Sequence, residues 1–283
     1  MQKVLREVLR LPEERIEQMA SLFERTSLER IITSSHSILN RLDFLAGLRT
    51  IVFDAEAQKA TTERRQLHKI LEREAWLFGD EWTLTASDET LRRVLVKHLA
   101  GLGEDVEYSD VMPASQAEGA VLIPDLVLSA SASSYSRSRE YLIVELKRPS
   151  VTLGKTELDQ IEAYANAITD DIQFNQLDVT WTFWLIGKDY DSYINRKLQT
   201  PGHPRGCALI APKYRVFVRS WAEVLDDAEH RHQYLKDALA ATSDQDAGLD
   251  YPNRVHQDLI PDVVKRQASG EEGRAASDDA SDK

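Results

Sequence analysis

Residues 121–128 read VLIPDLVL and residues 141–147 read YLIVELK, and these two stretches decide the fold. Both are short, apolar and rich in β-branched residues, which suits strands buried in a sheet. The connection between them, SASASSYSRSRE (129–140), is polar and Ser-rich, so the pair reads as an antiparallel hairpin. Ile123, Pro124 and Asp125 fall inside the first strand; Glu145 and Lys147 end the second, which Pro149 stops. Strand alternation puts Glu145 and Lys147 on one face and Leu146 on the other, and strand pairing lets Asp125 reach the first of these. Two carboxylates and an ammonium then converge. Hard oxygen donors of this kind suit Mg2+ or Mn2+, which acidifies a bound water and neutralises phosphoryl charge while the lysine positions or deprotonates the nucleophile.

Outward from the hairpin, helical and strand periods alternate. Leu5, Val8 and Leu9 keep helical spacing before Pro12, and Ile16, Met19, Leu22 and Phe23 resume it; a third helix runs from about 28 to 48. The spacing predicts one amphipathic helix over 61–78, with Leu67, Ile70, Leu71, Leu77 and Phe78 on a single face that Glu63 and Glu74 share. A shorter helix over 89–99 takes Ser87 or Asp88 as its N-cap. After the hairpin come a helix over 156–168, strands at 180–186 and 214–218, and a helix over 221–239. This is an α/β order: a central mixed sheet flanked by helices, behind an N-terminal helical region. The expected organisation is a helical region over 1–55, an α/β domain over 56–240, an extension over 241–266 and an acidic tail over 267–283. The tail, QASGEEGRAASDDASDK, cannot bury enough surface to offset its ordering entropy and reads as disordered.

The 283 residues include 47 Asp and Glu against 35 Lys and Arg, a formal charge of −12. Residues 241–283 hold 10 of the acids and 5 of the bases, so part of the excess lies outside the α/β domain. Acidity argues against salt-sensitive, general coating of nucleic acid by the bare chain. Arg137, Arg139, Lys147, Arg148 and Lys155 nevertheless offer a local phosphate track beside the hairpin. The single cysteine, Cys207, excludes a disulfide scaffold and an all-cysteine metal site and reads as a buried thiol. His68 reads as a packed, hydrogen-bonded histidine, and His230 and His232 lack a partner at zinc spacing. The stretch PGHPRG (201–206) reads as a loop. No apolar run approaches the ~20 residues of a membrane span and no signal-peptide pattern opens the chain, so the expectation is a cytoplasmic protein without a membrane partner.

Taken singly, Asp125 reads as a turn residue and Glu145 with Lys147 as a solvated strand face; their order along the chain favours a site. Pro124-Asp125 followed by Glu145-Leu146-Lys147 resembles the PD-(D/E)xK signature of restriction-endonuclease-like nucleases, whose core runs helix, three strands, helix, strand. Gln160 and Tyr164, four apart and so on one helix face, resemble the QxxxY element that follows the ExK strand in RecB-type nucleases. Glu63, or in its place Glu74, resembles the extra acid that such proteins bring from their first core helix. More narrowly, ERRQLHKILEREAWLFGDEW (63–82), VELKRPSVTLG (144–154), ELDQIEAYANAI (157–168) and WTFWLIG (181–187) are similar to the Shedu-type nuclease domain. These stretches are similar to the version at the C-terminus of bacterial proteins with a GHKL-type ATPase domain, and the likeness spans about residues 20–260. No ATPase domain is found in this sequence, so its regulation does not carry over.

The resemblance implies a Mg2+- or Mn2+-dependent DNA phosphodiester hydrolase acting in bacterial defence against phage. Asp125 and Glu145 would be metal ligands, Lys147 would orient the attacking water, and Glu63, Gln160 and Tyr164 would support them. Arg137, Arg139, Arg148 and Lys155 would touch nucleic acid. The expected partners are DNA, from the resemblance; a second copy of the chain, from the amphipathic character of the N-terminal helices; and an ATPase or sensor. The alternative left open is a nuclease-derived module that binds nucleic acid or a partner without cutting.

Overall fold

The computed structural model describes residues 13–60, 64–101, 123–130, 139–170, 179–239, 254–256 and 258–260. Within them the two apolar stretches form the inner part of a six-stranded sheet. Its strands are β1 (Trp82–Ser87), β2 (Leu126–Ala130), β3 (Arg139–Leu146), β5 (Val179–Gly187), β7 (Cys207–Ile210) and β8 (Tyr214–Ser220), in the spatial order β1-β2-β3-β5-β8-β7. The expected hairpin is present: β2 pairs antiparallel with β3 from Leu126 opposite Val144 to Ala130 opposite Glu140. β3, β5 and β8 run parallel, while β1 and β7 are antiparallel edges. Two further strands, β4 (Thr152–Leu153) and β6 (Asp189–Tyr190), make a small parallel pair of their own.

Helices cover both faces. On one side lie α2 (Leu28–Phe53), α4 (Arg64–Arg73) and α8 (Trp221–Leu239), whose Phe44, Leu48, Ile70, Leu71, Trp221 and Leu225 pack on Leu126, Leu128, Leu142, Val144 and Leu146. On the other lie α5 (Leu91–Gly101), α6 (Lys155–Asp170) and α7 (Ser192–Leu198), which pack on Val127, Tyr141, Ile143, Phe183 and Leu185. Successive residues of β3 thus feed opposite cores, as the two-residue repeat requires. Both layers are filled by side chains exposed by a few per cent at most, so each strand end is held rigidly. The short helices α1 (Glu13–Arg25) and α3 (Ala55–Ala60) precede and follow α2. No helix among the described residues is long and apolar enough to cross a membrane.

Three local expectations need correction. The helix drawn over 61–78 ends at Arg73; Glu74 takes a non-helical backbone (φ −118, ψ 42), and Ala75–Phe78 form a turn of 3-10 helix. Neither Ser87 nor Asp88 caps α5, because Thr90 Oγ1 accepts from the Arg93 N–H instead. Asp125 lies just before β2 rather than inside a strand running from residue 121. The region over 221–239 is helical from end to end as expected, and Ser220 with Glu223 forms a capping box there: each side chain accepts from the other's backbone N–H. The acidic tail lies outside the described residues.

Candidate functional site

The antiparallel ladder of β2 and β3 has its last pair at Leu126 and Val144, and one step further along the chain Asp125 comes beside Glu145. Pro124 supplies no N–H to continue the ladder, and the Asp125 side chain takes over: its Oδ2 accepts the Leu146 N–H at 2.7 Å. The Asp125 carbonyl accepts the Asp88 N–H at 3.0 Å from the end of β1. Asp88 reaches that position in a left-handed conformation (φ +52), a region that Asp tolerates better than most residues. Asp125 itself is 2% exposed. Three neighbouring segments therefore fix one carboxylate at the head of β2.

Glu145, the last residue but one of β3, lies on the face covered by α6 and is fully buried. Its Oε1 accepts from Lys147 Nζ at 3.1 Å and from Gln160 Nε2 at 2.8 Å. Lys147 Nζ also donates to Gln160 Oε1 at 2.6 Å, so the amide bridges both members of the ion pair. The second Gln160 N–H meets Tyr164 Oη at 3.2 Å, and Tyr164 in turn donates to the Ile123 carbonyl at 3.0 Å. The one-turn spacing of Gln160 and Tyr164 lets a single face of α6 reach both strand ends. Glu145, Lys147, Gln160 and Tyr164 thus close into one hydrogen-bonded group, and Asp125 is fixed beside it through the Leu146 N–H, in the order the sequence placed them.

The sequence reading missed the groups that hold Lys147 by its backbone. The Lys147 N–H donates to the Ile186 carbonyl at 2.8 Å, and the Lys147 carbonyl accepts from Trp221 Nε1 at 3.2 Å. Trp221 begins α8 and is fully buried. Its only sequence signal was its place directly after a strand and a capping serine. With both peptide groups fixed, the Lys147 side chain starts from a set position at the strand end, within reach of Glu145.

The other expected residues are placed less uniformly. Glu63 and Arg137 lie outside the described residues. Arg139 opens β3, about 20 Å from Glu145 at the ~3.3 Å rise of a strand, so its backbone is not near the cluster. Arg148 is exposed beside Lys147, and Lys155 opens α6 with its ammonium held by Asp159 at 2.6 Å. That contact raises the Lys155 pKa. Glu74 belongs elsewhere: its carboxylate accepts from Trp76 Nε1 at 2.7 Å and pairs with His256 Nε2 at 3.0 Å, within the core on the α2 and α8 side. His68 is packed and bonded to Ser87 at 2.7 Å. His232 is buried against Ala228 and Arg41, and the Cys207 thiol is buried, which pushes its pKa up.

Among the described residues no three His, Cys, Asp or Glu side chains gather as a metal cage. Asp125 and Glu145 still match a hard cation by the chemistry of their donors: two buried carboxylates at adjoining strand ends. Mg2+ is commonly held by one or two carboxylates, with waters and substrate oxygens completing its shell. Comparison of the chain with profiles of known families, with curated proteins and with solved structures returned no match.

Proposed function

We propose that the chain is a Mg2+-dependent deoxyribonuclease of the PD-(D/E)xK class and Shedu type, acting in bacterial defence against phage. The observation that carries the proposal is the hydrogen-bonded group of Glu145, Lys147, Gln160 and Tyr164, with the buried Asp125 carboxylate fixed at the same strand end by the Leu146 N–H. A packing role alone gives no reason for an ammonium, a buried carboxylate and an amide to meet at a strand end where Lys147 and Gln160 both keep part of their surface in solvent. A divalent ion held by Asp125 and Glu145 would supply charge neutralisation and a more acidic water. Lys147 orients the attacking water or a non-bridging phosphate oxygen through its ammonium, Gln160 fixes the lysine, and Tyr164 fixes the segment leading into Asp125.

The test is incubation of the purified protein with linear and circular DNA in Mg2+, Mn2+ or EDTA. Metal-dependent cleavage is expected, with Asp125→Ala and Lys147→Ala inactive but folded. Cleavage unchanged in both variants rejects the proposal. One observation favours the alternative, a module that binds without cutting: Glu145 is engaged by Lys147 and Gln160, and a metal would have to share it. DNA binding without cleavage under any metal condition would select that alternative.

A further inference from the structure

We infer that the rim formed by β4 and β6 is a contact surface for the phosphate backbone of DNA, with Arg148 and Lys188 as its two contacts. This rests on the nuclease proposal and extends it to a residue the sequence gave no reason to choose.

The rim begins where the site ends. Lys147 is tied to Ile186, and two residues on, the Lys188 N–H donates to the Val151 carbonyl at 2.9 Å. The Val151 N–H donates to the Arg148 carbonyl, also at 2.9 Å, so the exits of β3 and β5 are joined through one residue. Asp191 closes the far side with an N–H to the Leu153 carbonyl at 2.9 Å. Gly187 makes the approach feasible: a Cβ there would stand 2.5 Å from Leu153 Cδ2 and 3.0 Å from the Val151 carbonyl. The rim is therefore a rigid ledge beside Lys147.

The charges on this ledge are unequally engaged. Its acids are committed to backbone N–H groups of the rim: Asp189 to Tyr190, Asp191 to Tyr193 and Ile194, and Glu157 to Gly154. Lys155 is committed to Asp159. Arg148 and Lys188 are both exposed, and their side chains make no hydrogen bond or ion pair with any described residue. Two uncommitted cations on a rigid backbone next to a phosphodiester-cleaving cluster suit phosphate oxygens, which fix register without reading sequence. The acids of the ledge keep their charge, so what suits phosphate is the local reach of these two exposed cations, which a chain of net charge −12 can offer without a cationic surface.

The test is fluorescence anisotropy of a labelled DNA duplex in EDTA, titrated from about 50 to about 200 mM salt. The double variant R148A/K188A should bind about tenfold more weakly at low salt, and its slope of log affinity against log salt should flatten by about 1.8, at ~0.9 per phosphate contact. The loss should be the same for duplexes of different sequence. The control is K236A near the far end of α8, more than about 20 Å along the helix from Trp221, and it should keep both affinity and slope. Wild-type affinity and slope in R148A/K188A, or no DNA binding by the wild type, overturns the inference. Cleavage is scored separately. Rim-dependent binding without cleavage removes the nuclease proposal alone, and cleavage with an unchanged salt slope removes the rim alone.

Discussion

Two buried glutamates, one on each side of the sheet, invite comparison. Glu145 sits under α6 with its side chain fully buried, and Glu74 sits under α2 and α8 with its side chain 7% exposed. Burial alone would rank them together. Their partners separate them. Glu74 is held by two rings, the indole of Trp76 and the imidazole of His256, whose own side chain is fully buried. Glu145 is held by an amide and by an ammonium that keeps 16% of its surface in solvent. A fully buried imidazole has little room to yield its hydrogen bond to a ligand, whereas a lysine at a strand end can swing toward water. The difference teaches that the mobility of the partner, more than the depth of the acid, marks a carboxylate available for chemistry.

The largest expected effect exploits that contrast. Glu145→Ala should abolish metal-dependent cleavage and change unfolding free energy by no more than about 1 kcal/mol, because Lys147 keeps Gln160 and its route to solvent. Glu74→Ala should do the reverse. It leaves a half-buried indole and a fully buried histidine without their acceptor, at a cost of about 3 kcal/mol, while cleavage by the protein that stays folded persists. Urea unfolding and cleavage assays on the two variants read both quantities. Equal destabilisation, or loss of cleavage in both, would break the comparison.

Tyr164 comes next, because it belongs to the Glu145 side yet is itself buried. Tyr164→Phe removes the donor to the Ile123 carbonyl and the acceptor for Gln160, leaving the ring's packing unchanged. The expected outcome is about 1 kcal/mol of lost stability with a tenfold to hundredfold drop in kcat, roughly what misplacing a positioned group costs. Trp221→Phe acts through the Lys147 backbone rather than its ammonium. It should lower kcat about tenfold and leave KM unchanged. A loss confined to KM would show that Trp221 does not act through Lys147.

The contrast also explains what could be read in the sequence. Glu145, Gln160 and Tyr164 were legible because strand alternation and helical spacing are local rules, whereas Asp125 and Lys147, which flank β2 and β3, were legible from their order along the chain. The break at Glu74 was not. Leu77 and Phe78 continue the apolar period across it, and glutamate is a good helix former. What ends the helix is remote: His256 binds Glu74, and Arg231 donates to the Leu77 carbonyl at 2.6 Å. β4 and β6 were illegible for another reason, since two-residue strands fall below any periodic signal. β1 was hidden by its mixed exposure and by a bulge between Leu84 and Ala86. The parts of the site held by distant backbone, Trp221 above all, share the same obscurity.

Glu223 supplies a third carboxylate, intermediate between the other two, and through it the smallest effect. It is half-buried at the start of α8, accepting from the Ser220 backbone and from the Tyr190 hydroxyl. Burial, then the hydrogen bond to Glu223 and the charge of Glu223, push the Tyr190 pKa up to about 12 from an unfolded value near 10. A raised folded pKa contributes stability that is complete below pH 10 and fades as the pH climbs toward 12, because the unfolded chain ionises first. Wild type should therefore be more stable than Tyr190→Phe at pH 8, and the gap should narrow steadily above pH 10 in thermal unfolding. Solvent around the half-exposed phenol screens the interaction, so the gap should be smaller than the loss in Glu74→Ala. If the gap is flat across that range, Tyr190 is not coupled to Glu223 in solution. If it equals the Glu74 loss, the rigidity of the partner is not what sets a buried carboxylate's contribution, and the contrast between Glu145 and Glu74 would need another cause.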